Sequence, residues 1–356
     1  MNQILPPDGI HNSIKDWVES YGGSLPQGGA VFKEIYPETS FSRRMKRPPA
    51  RYPIKLEGGT VGVIPDGRVW GLNGAIITPD NHLIWDASLE FVHPRSNHSI
   101  FSQKTLPPLT HQYERVADLT HVVGRNYYHW MYEVIPRVHL LRESGLSVER
   151  FIVKSEPDQI PFQSETLHLL GIADDQLIKT YEGFHIQAEQ LIVPSQPSFA
   201  TKWGYDFLRK TFLNECSTEK RRIYIRRKSS RIITNESDLW EILKPYGFMQ
   251  VELETLSVAD QARLFSSAEV IVGAHGAGLV NLTFCQPGTK VIEIFSPTYI
   301  TPLYWAICSF GNLKHHYFIG DFVGGNRAQE NRGWTGLDNI TIIPRKFAAF
   351  IRNIKL

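Results

Sequence analysis

Val270-Ile271-Val272-Gly273-Ala274-His275-Gly276-Ala277-Gly278-Leu279 is the stretch on which the reading of the fold turns. An apolar, β-branched run ends in a glycine-rich turn and passes into residues that can open a helix, the order strand, turn, helix. Small residues at such a turn let the backbone approach an anion. The N–H groups of a first helical turn point at that anion, and the helix dipole adds favourable partial charge. His275 stands where its imidazole can donate to a phosphate oxygen or a sugar hydroxyl. The same glycines also serve tight strand–helix packing, and a turn histidine can be a cap, so spacing alone leaves both readings open. Gly273-x-x-Gly276-x-Gly278 is not the GxGxxG order of a dinucleotide fingerprint, and no Lys-Ser or Lys-Thr follows as in a P-loop.

The flanks repeat the alternation. Ile223-Tyr224-Ile225 reads as a strand, and Asn235 with Asp238 three residues on reads as a helix start. Phe248-Met249-Gln250-Val251 is the next strand, Ser257 with Asp260 a second helix start, residues 278–284 a short helix, and Val291-Ile292-Glu293-Ile294 a further strand. Helices of about ten residues between short β-branched runs predict a parallel sheet covered on both faces, with ligands beyond the C-terminal strand ends. Upstream, Pro65-Asp66-Gly67, Asn73-Gly74 and Pro79-Asp80-Asn81 break residues 61–91 into a meander. Met131, Val134, Ile135, Val138 and Leu141 give helical spacing over 127–144. Residues 1–60, punctuated by Gly22-Gly23, Gly28-Gly29, Pro48-Pro49 and Gly58-Gly59, are expected to be an irregular lead-in. An α/β lobe over 61–198, a second α/β lobe over 199–343, with a loop over 324–336, and a final helix over 344–356 complete the division.

A length of 356 residues exceeds what one core usually supports. Net charge is only +2, too weak a field to indicate nucleic acid or an anionic membrane as the main partner. Cys216, Cys285 and Cys308 are odd in number and lack CxxC spacing, which argues against a disulfide framework and a structural zinc site and fits a reducing cytoplasm. No apolar run approaches the roughly 20 residues of a membrane span, and the N-terminus lacks the regions of a signal peptide. The chain is therefore expected to be soluble and cytoplasmic, with at most peripheral membrane association.

Two further features bear on chemistry. In the basic run of residues 220–231, Arg226 directly follows a strand, where a guanidinium can clamp a diphosphate; the plain alternative is a solvated basic loop. Glu293 sits in an otherwise apolar strand, where an unpaired carboxylate is costly. A ribose diol would satisfy it, and so would a structural salt bridge.

Residues 269–284, with Pro287-Gly288-Thr289, Val291-Ile292-Glu293, Tyr224-Ile225-Arg226-Arg227, Arg231, Asn235-Glu236 and Gln261, resemble the signature of glycosyltransferase family 61, of the capsular polysaccharide type. Asn126-Tyr127-Tyr128-His129-Trp130-Met131-Tyr132-Glu133-Val134-Ile135-Pro136-Arg137 fits the same pattern, so the resemblance spans about residues 120–300. It implies a GT-B-like α/β architecture, two Rossmann-like lobes facing across a cleft, and inverting transfer from a nucleotide sugar, most simply UDP-linked. On that resemblance Arg226, Arg231 and His275, with the Gly276, Ala277 and Gly278 turn, hold the diphosphate, Glu293 holds the ribose, and Asn281 orients His275 or the loop. Related chains often carry a serine before the arginine, which leaves open whether Arg226 or Arg227 faces phosphate.

On the acceptor side the resemblance implies His129 and Glu133, four apart on one helix face. Inverting transfer needs a base, and Glu133 is the first choice, His129 the second; an ordinary helix salt bridge of Glu133 with Arg137 is the bland alternative. Trp130 and Tyr127 read as core, although either could floor an acceptor subsite. No cofactor or metal is expected: the chain contains no Asp-x-Asp, and Glu252-Leu253-Glu254 lies on a donor-lobe strand. The implied partners are a nucleotide sugar and a glycan or lipid-linked saccharide. The rivals are a catalytically silent nucleotide-sugar-binding scaffold of the same fold and a nucleotide-dependent oxidoreductase, which the missing GxGxxG disfavours.

Overall fold

The computed structural model describes residues 3–21, 30–41, 55–158, 160–213, 215–322 and 337–356. The expected loop over 324–336 and the pairs Gly22-Gly23, Gly28-Gly29 and Pro48-Pro49 lie outside the described residues. The chain divides into two compact units, Met1–Ser40 with Lys55–Trp203, and Phe41–Ile54 with Gly204–Leu356. Among the described residues no helix is long and apolar enough to cross a membrane.

The first unit runs β1 (Gly9–His11), α1 (Ile14–Tyr21), β2 (Val31–Tyr36), β3 (Thr39–Ser40), β4 (Lys55–Leu56), β5 (Gly59–Trp70), β6 (Ala75–Ile77), β7 (His82–Ile84), β8 (His111–Asp118), α2 (Tyr127–His129), α3 (Ile135–Glu143), β9 (Arg150–Val153), α4 (Pro161–Leu169), β10 (Leu177–Lys179) and β11 (His185–Pro194). Its sheet has the order β1-β7-β6-β5-β11-β8-β9-β10, with β2 also on β5. β8, β9, β10 and β11 are joined in parallel, whereas β5 pairs antiparallel with β2, β6 and β11. This is a mixed sheet rather than the all-parallel sheet of a Rossmann-like lobe, because the meander is built into it. Pro65-Asp66-Gly67, expected as a hairpin turn, stays inside β5: Asp66 takes a positive φ of 53° while Pro65 and Gly67 remain paired with β11.

The lead-in expected to be irregular also contributes to this core. Ser13 accepts the Asp16 N–H and opens α1, and Ile14, Trp17 and Val18 stand at helical spacing on its inner face. Trp17 is buried against the sheet with Ile64, Val69 and Leu191 as part of one cluster. The glycines and prolines flanking this short helix mask its periodicity in the sequence.

The second unit runs α5 (Lys202–Phe212, across the boundary), β12 (Arg221–Ile225), α6 (Glu236–Leu243), β13 (Phe248–Val251), α7 (Val258–Ser266), β14 (Ala268–Ala274), β15 (Lys290–Phe295), α8 (Leu303–Phe310), β16 (Lys314–Ile319) and α9 (Pro344–Asn353). Its sheet, β13-β12-β14-β15-β16, is parallel throughout. Counted from β12, the order is 2-1-3-4-5, which places the topological switch point between β12 and β14. The three inner strands, β12, β14 and β15, are largely buried, as their apolar runs predict, whereas the edge strands β13 and β16 keep exposed positions. Ser257 caps α7 as its spacing indicates. Asn235 occupies the start of α6 but turns its amide to both backbone groups of Ile342, tying α6 to the chain ahead of α9. Residues 278–284, expected as a short helix, lie in a 3₁₀-helix, Ala277–Phe284.

Candidate active-site residues in each unit

In the second unit β12 and β14 end side by side, Ile225 opposite Gly273. Each strand then delivers its candidate residues at the switch point, where an open parallel sheet presents ligand-binding loops. After β12 the two arginines diverge. Arg226 pairs with Glu236 at 2.8 Å and Glu252 at 3.5 Å. Arg227 instead lies on the glycine turn: a Cβ on Gly276 would stand 1.6 Å from its Nη1. Arg227 donates to the Ser230 carbonyl at 3.0 Å. Gly276 has an extended φ of 168°, so the glycine is demanded by this close approach and not by its own torsion. Arg231 stacks its guanidinium over Tyr299 at 5.3 Å. Burial depresses the Arg227 guanidinium, and the charge of Arg231 depresses it further. Two cations held this near each other suit an anion.

His275 is 2% exposed, with its N–H given to Ile294 in β15 and its ring packed among Phe295, Tyr299 and Tyr304. Its Nδ1 meets Glu293 Oε1 at 2.5 Å, and Glu293 Oε2 meets His315 Nε2 at 2.8 Å. Glu293, expected to face a ribose, is fully buried and has both oxygens engaged by imidazoles. Those hydrogen bonds outweigh desolvation and hold its carboxyl below the usual range. Burial in turn depresses His275, whose Nδ1 faces the Glu293 carboxylate. Asn281 donates to Gln261 at 2.6 Å and to the Gly278 carbonyl at 3.1 Å, so it braces the turn through Gly278.

In the first unit the expected continuous helix over 127–144 is broken: α2 passes into a π-turn, Trp130–Val134, before α3 begins. Pro136, second in α3, lacks the N–H that would bond the Tyr132 carbonyl, and the widened turn accommodates that loss. The π-turn carries Glu133. Its Oε2 lies 2.6 Å from His129 Nδ1 and 3.0 Å from His121 Nε2. Arg137, the alternative partner for Glu133, is fully buried and pairs with Asp118 at 2.7 Å.

His129, Glu133 and His121 line a cavity of about 490 Å³ together with Trp85, Asp86 and Phe91. Phe91 is 70% exposed. Asp86 is exposed at the cavity; partial desolvation by the packed residues around it, with Asp16 adding negative charge, pushes its carboxyl up to about 7. Trp130 is core, donating to Thr166, and Tyr127 packs on Phe162; neither lines this cavity. Among the described residues two groups of three donors stand close enough to share a cation, His121-His129-Glu133 and His11-Asp80-His82.

His121 and His315 were invisible from spacing. Each is supplied by another strand or loop, although a carboxylate inside the apolar β15 already signalled that Glu293 must have a partner.

Residues 127–292 match the family model described as Glycosyltransferase 61. The chain is similar to a β-1,2-xylosyltransferase of Oryza sativa subsp. japonica, 39% identical over 61 residues, which are 17% of this chain and 11% of the relative. It is 38% identical over 64 residues, 18% and 12% of the two chains, to a β-1,2-xylosyltransferase of Arabidopsis thaliana. It is 37% identical over 83 residues, 21% and 14%, to a protein O-linked-mannose β-1,4-N-acetylglucosaminyltransferase 2 of Canis lupus familiaris. The chain thus spans only about a tenth to a seventh of the length of these curated relatives. The matched segment contains His129, Glu133, Arg226, Arg227, Arg231 and the His275 turn, and ends one residue before Glu293, so family model and relatives together support a Glycosyltransferase 61 domain in this chain.

Proposed function

We propose that this protein is a GT-B-type glycosyltransferase that moves a sugar, with inversion and without a metal on the diphosphate, from a UDP-sugar to a hydroxyl of a glycan or lipid-linked saccharide. Its setting in this reading is cytoplasmic assembly of a cell-surface polysaccharide, with peripheral membrane association at most. The observation that carries the reading is Arg227 seated on Gly276 at the switch point, with Arg231 and His275 beside it. Departing diphosphate gains negative charge as the anomeric C–O bond breaks, and fixed cations and N–H donors there stabilise the transition state. Arg227 takes the phosphate role; Arg226 is already committed to Glu236 and Glu252.

The incoming hydroxyl attacks the anomeric carbon from the opposite face and must lose its proton. Glu133 takes it. The two imidazoles both meet Oε2, which leaves Oε1 for the hydroxyl. Phe91 and Trp85 supply apolar faces for a sugar ring in the cavity, and Asp86 supplies a polar contact. His129 is the second choice of base. A silent nucleotide-sugar-binding scaffold would have no use for a carboxylate held by two histidines at a cavity wall.

The test is Glu133→Gln assayed for UDP binding and for sugar transfer or donor hydrolysis. Binding should be unchanged while turnover falls by about 10²–10⁴-fold. Near-normal turnover in Glu133→Gln with loss in His129→Ala moves the base to His129. Full turnover in both removes this helix from the mechanism.

A further inference from the structure

β1 and β7 lie parallel at the edge of the first unit's sheet, Gly9 opposite His82 and His11 opposite Ile84. His11 and His82 are therefore diagonal neighbours on one face, with ring centroids 4.7 Å apart. Asp80, in the turn that leads into β7, places one oxygen between them: its Oδ2 is 2.9 Å from His11 Nε2 and 3.2 Å from His82 Nδ1, which also lies 2.7 Å from the Asp80 carbonyl, a contact that an ion would displace. Its other oxygen accepts the indole N–H of Trp17 at 2.8 Å. Trp17 is locked in the core, so the carboxylate is aimed rather than free to rotate. A Cβ on Gly9 would stand 2.7 Å from the His82 ring, so glycine is what lets that ring lie across β1.

We propose that His11, Asp80 and His82 form a binding site for a divalent first-row transition metal of the Zn²⁺ type. Donors about 2.1 Å from a tetrahedral ion stand about 3.4 Å from one another; the two spacings to Asp80 Oδ2, 2.9 and 3.2 Å, need to open by only a few tenths of an ångström, and all three ligand atoms lie within 4.8 Å of one another. Two imidazoles and one carboxylate suit Zn²⁺ and its neighbours and not Mg²⁺ or Ca²⁺, which take oxygen. A hydrogen bond from an indole to the non-ligating carboxylate oxygen is the outer support that metal-bound carboxylates use. The three ligands are partly accessible, 15% to 29% for their side chains, so an ion can enter and keep water in the fourth position. Bound there, it clamps β1 to β7 and, through Asp80 and Trp17, fixes α1. This inference does not depend on the proposed transfer reaction.

The experiment is Zn²⁺ titration of the EDTA-stripped full chain against a chromophoric chelator, with thermal unfolding at each concentration. Wild type and His129→Ala should both bind one equivalent saturably and melt higher as Zn²⁺ rises, since a ligand of the native state stabilises it. His11→Ala/His82→Ala should lose the rise and at least tenfold in affinity. The milder His11→Gln, on an edge strand, reports the same loss should the double variant fold poorly. Absence of saturable binding by wild type, equal binding by the His11 and His82 variants, or loss confined to His129→Ala would each overturn the proposal.

Discussion

At Gly276 one methyl group decides whether Arg227 can stay where it is, because an added Cβ would overlap its guanidinium. Gly276→Ala should therefore fold, the clash being with the end of a flexible side chain, but displace Arg227. Calorimetric titration with UDP should show binding weakened by about 10–100-fold, the scale of one or two lost hydrogen bonds to charged groups. Arg227→Ala should match it, whereas Arg226→Ala should lose less than Arg227→Ala. Asp86 offers a separate test through pH. Its folded carboxyl titrates near 7, while the unfolded chain's titrates near an ordinary value of about 3.9, so the native state holds the extra proton between these limits. Wild-type stability contributed by this group is present below about pH 4, declines up to about pH 7, and is absent above it. Asp86→Asn, which cannot ionise, should melt higher than wild type at pH 8, with the gap closing towards pH 4.

At the scale of elements, the π-turn between α2 and α3 is fixed from below by Arg137. Its guanidinium donates to the Asp118 carboxylate and carbonyl and to the Thr120 carbonyl, all buried, and so ties α3 to the end of β8. The same segment supplies His121. Arg137→Met should leave the Asp118 charge buried without its partner and cost about 3–5 kcal/mol by urea denaturation. Arg137→Met/Asp118→Leu should recover most of that loss. The helix itself was legible from Met131, Val134, Ile135 and Leu141, and so was the shared face of His129 and Glu133. Its π-turn was not, because apolar spacing does not report a widened ladder. α1 was missed for a different reason: eight residues give too few apolar positions to stand out between proline- and glycine-rich flanks.

For the whole molecule, the proposed donor site lies on a parallel sheet with its loops at the switch point, and in the proposed reaction Arg227 and Arg231 would supply the counter-charge in place of a metal. UDP should raise the melting temperature and NAD should not, and transfer at 25 °C should persist in EDTA. Loss of transfer in EDTA with rescue by Mn²⁺ or Mg²⁺ would remove the metal-free reading. The sequence by itself determined four of the five strands of the second unit's sheet, because the inner strands must be apolar; the edge strand β16 and α8 were not read from it. It also placed the glycine turn, although what the glycines make room for, the Arg227 and Leu253 side chains, came only from the structure. Only the tertiary structure decided the partners. Arg227 rather than Arg226 reaches Gly276, Glu293 serves His275 and His315, and His121 joins Glu133, because each of these pairs joins residues from different strands, loops or helices. Such contacts depend on sheet order and register, which no local spacing encodes.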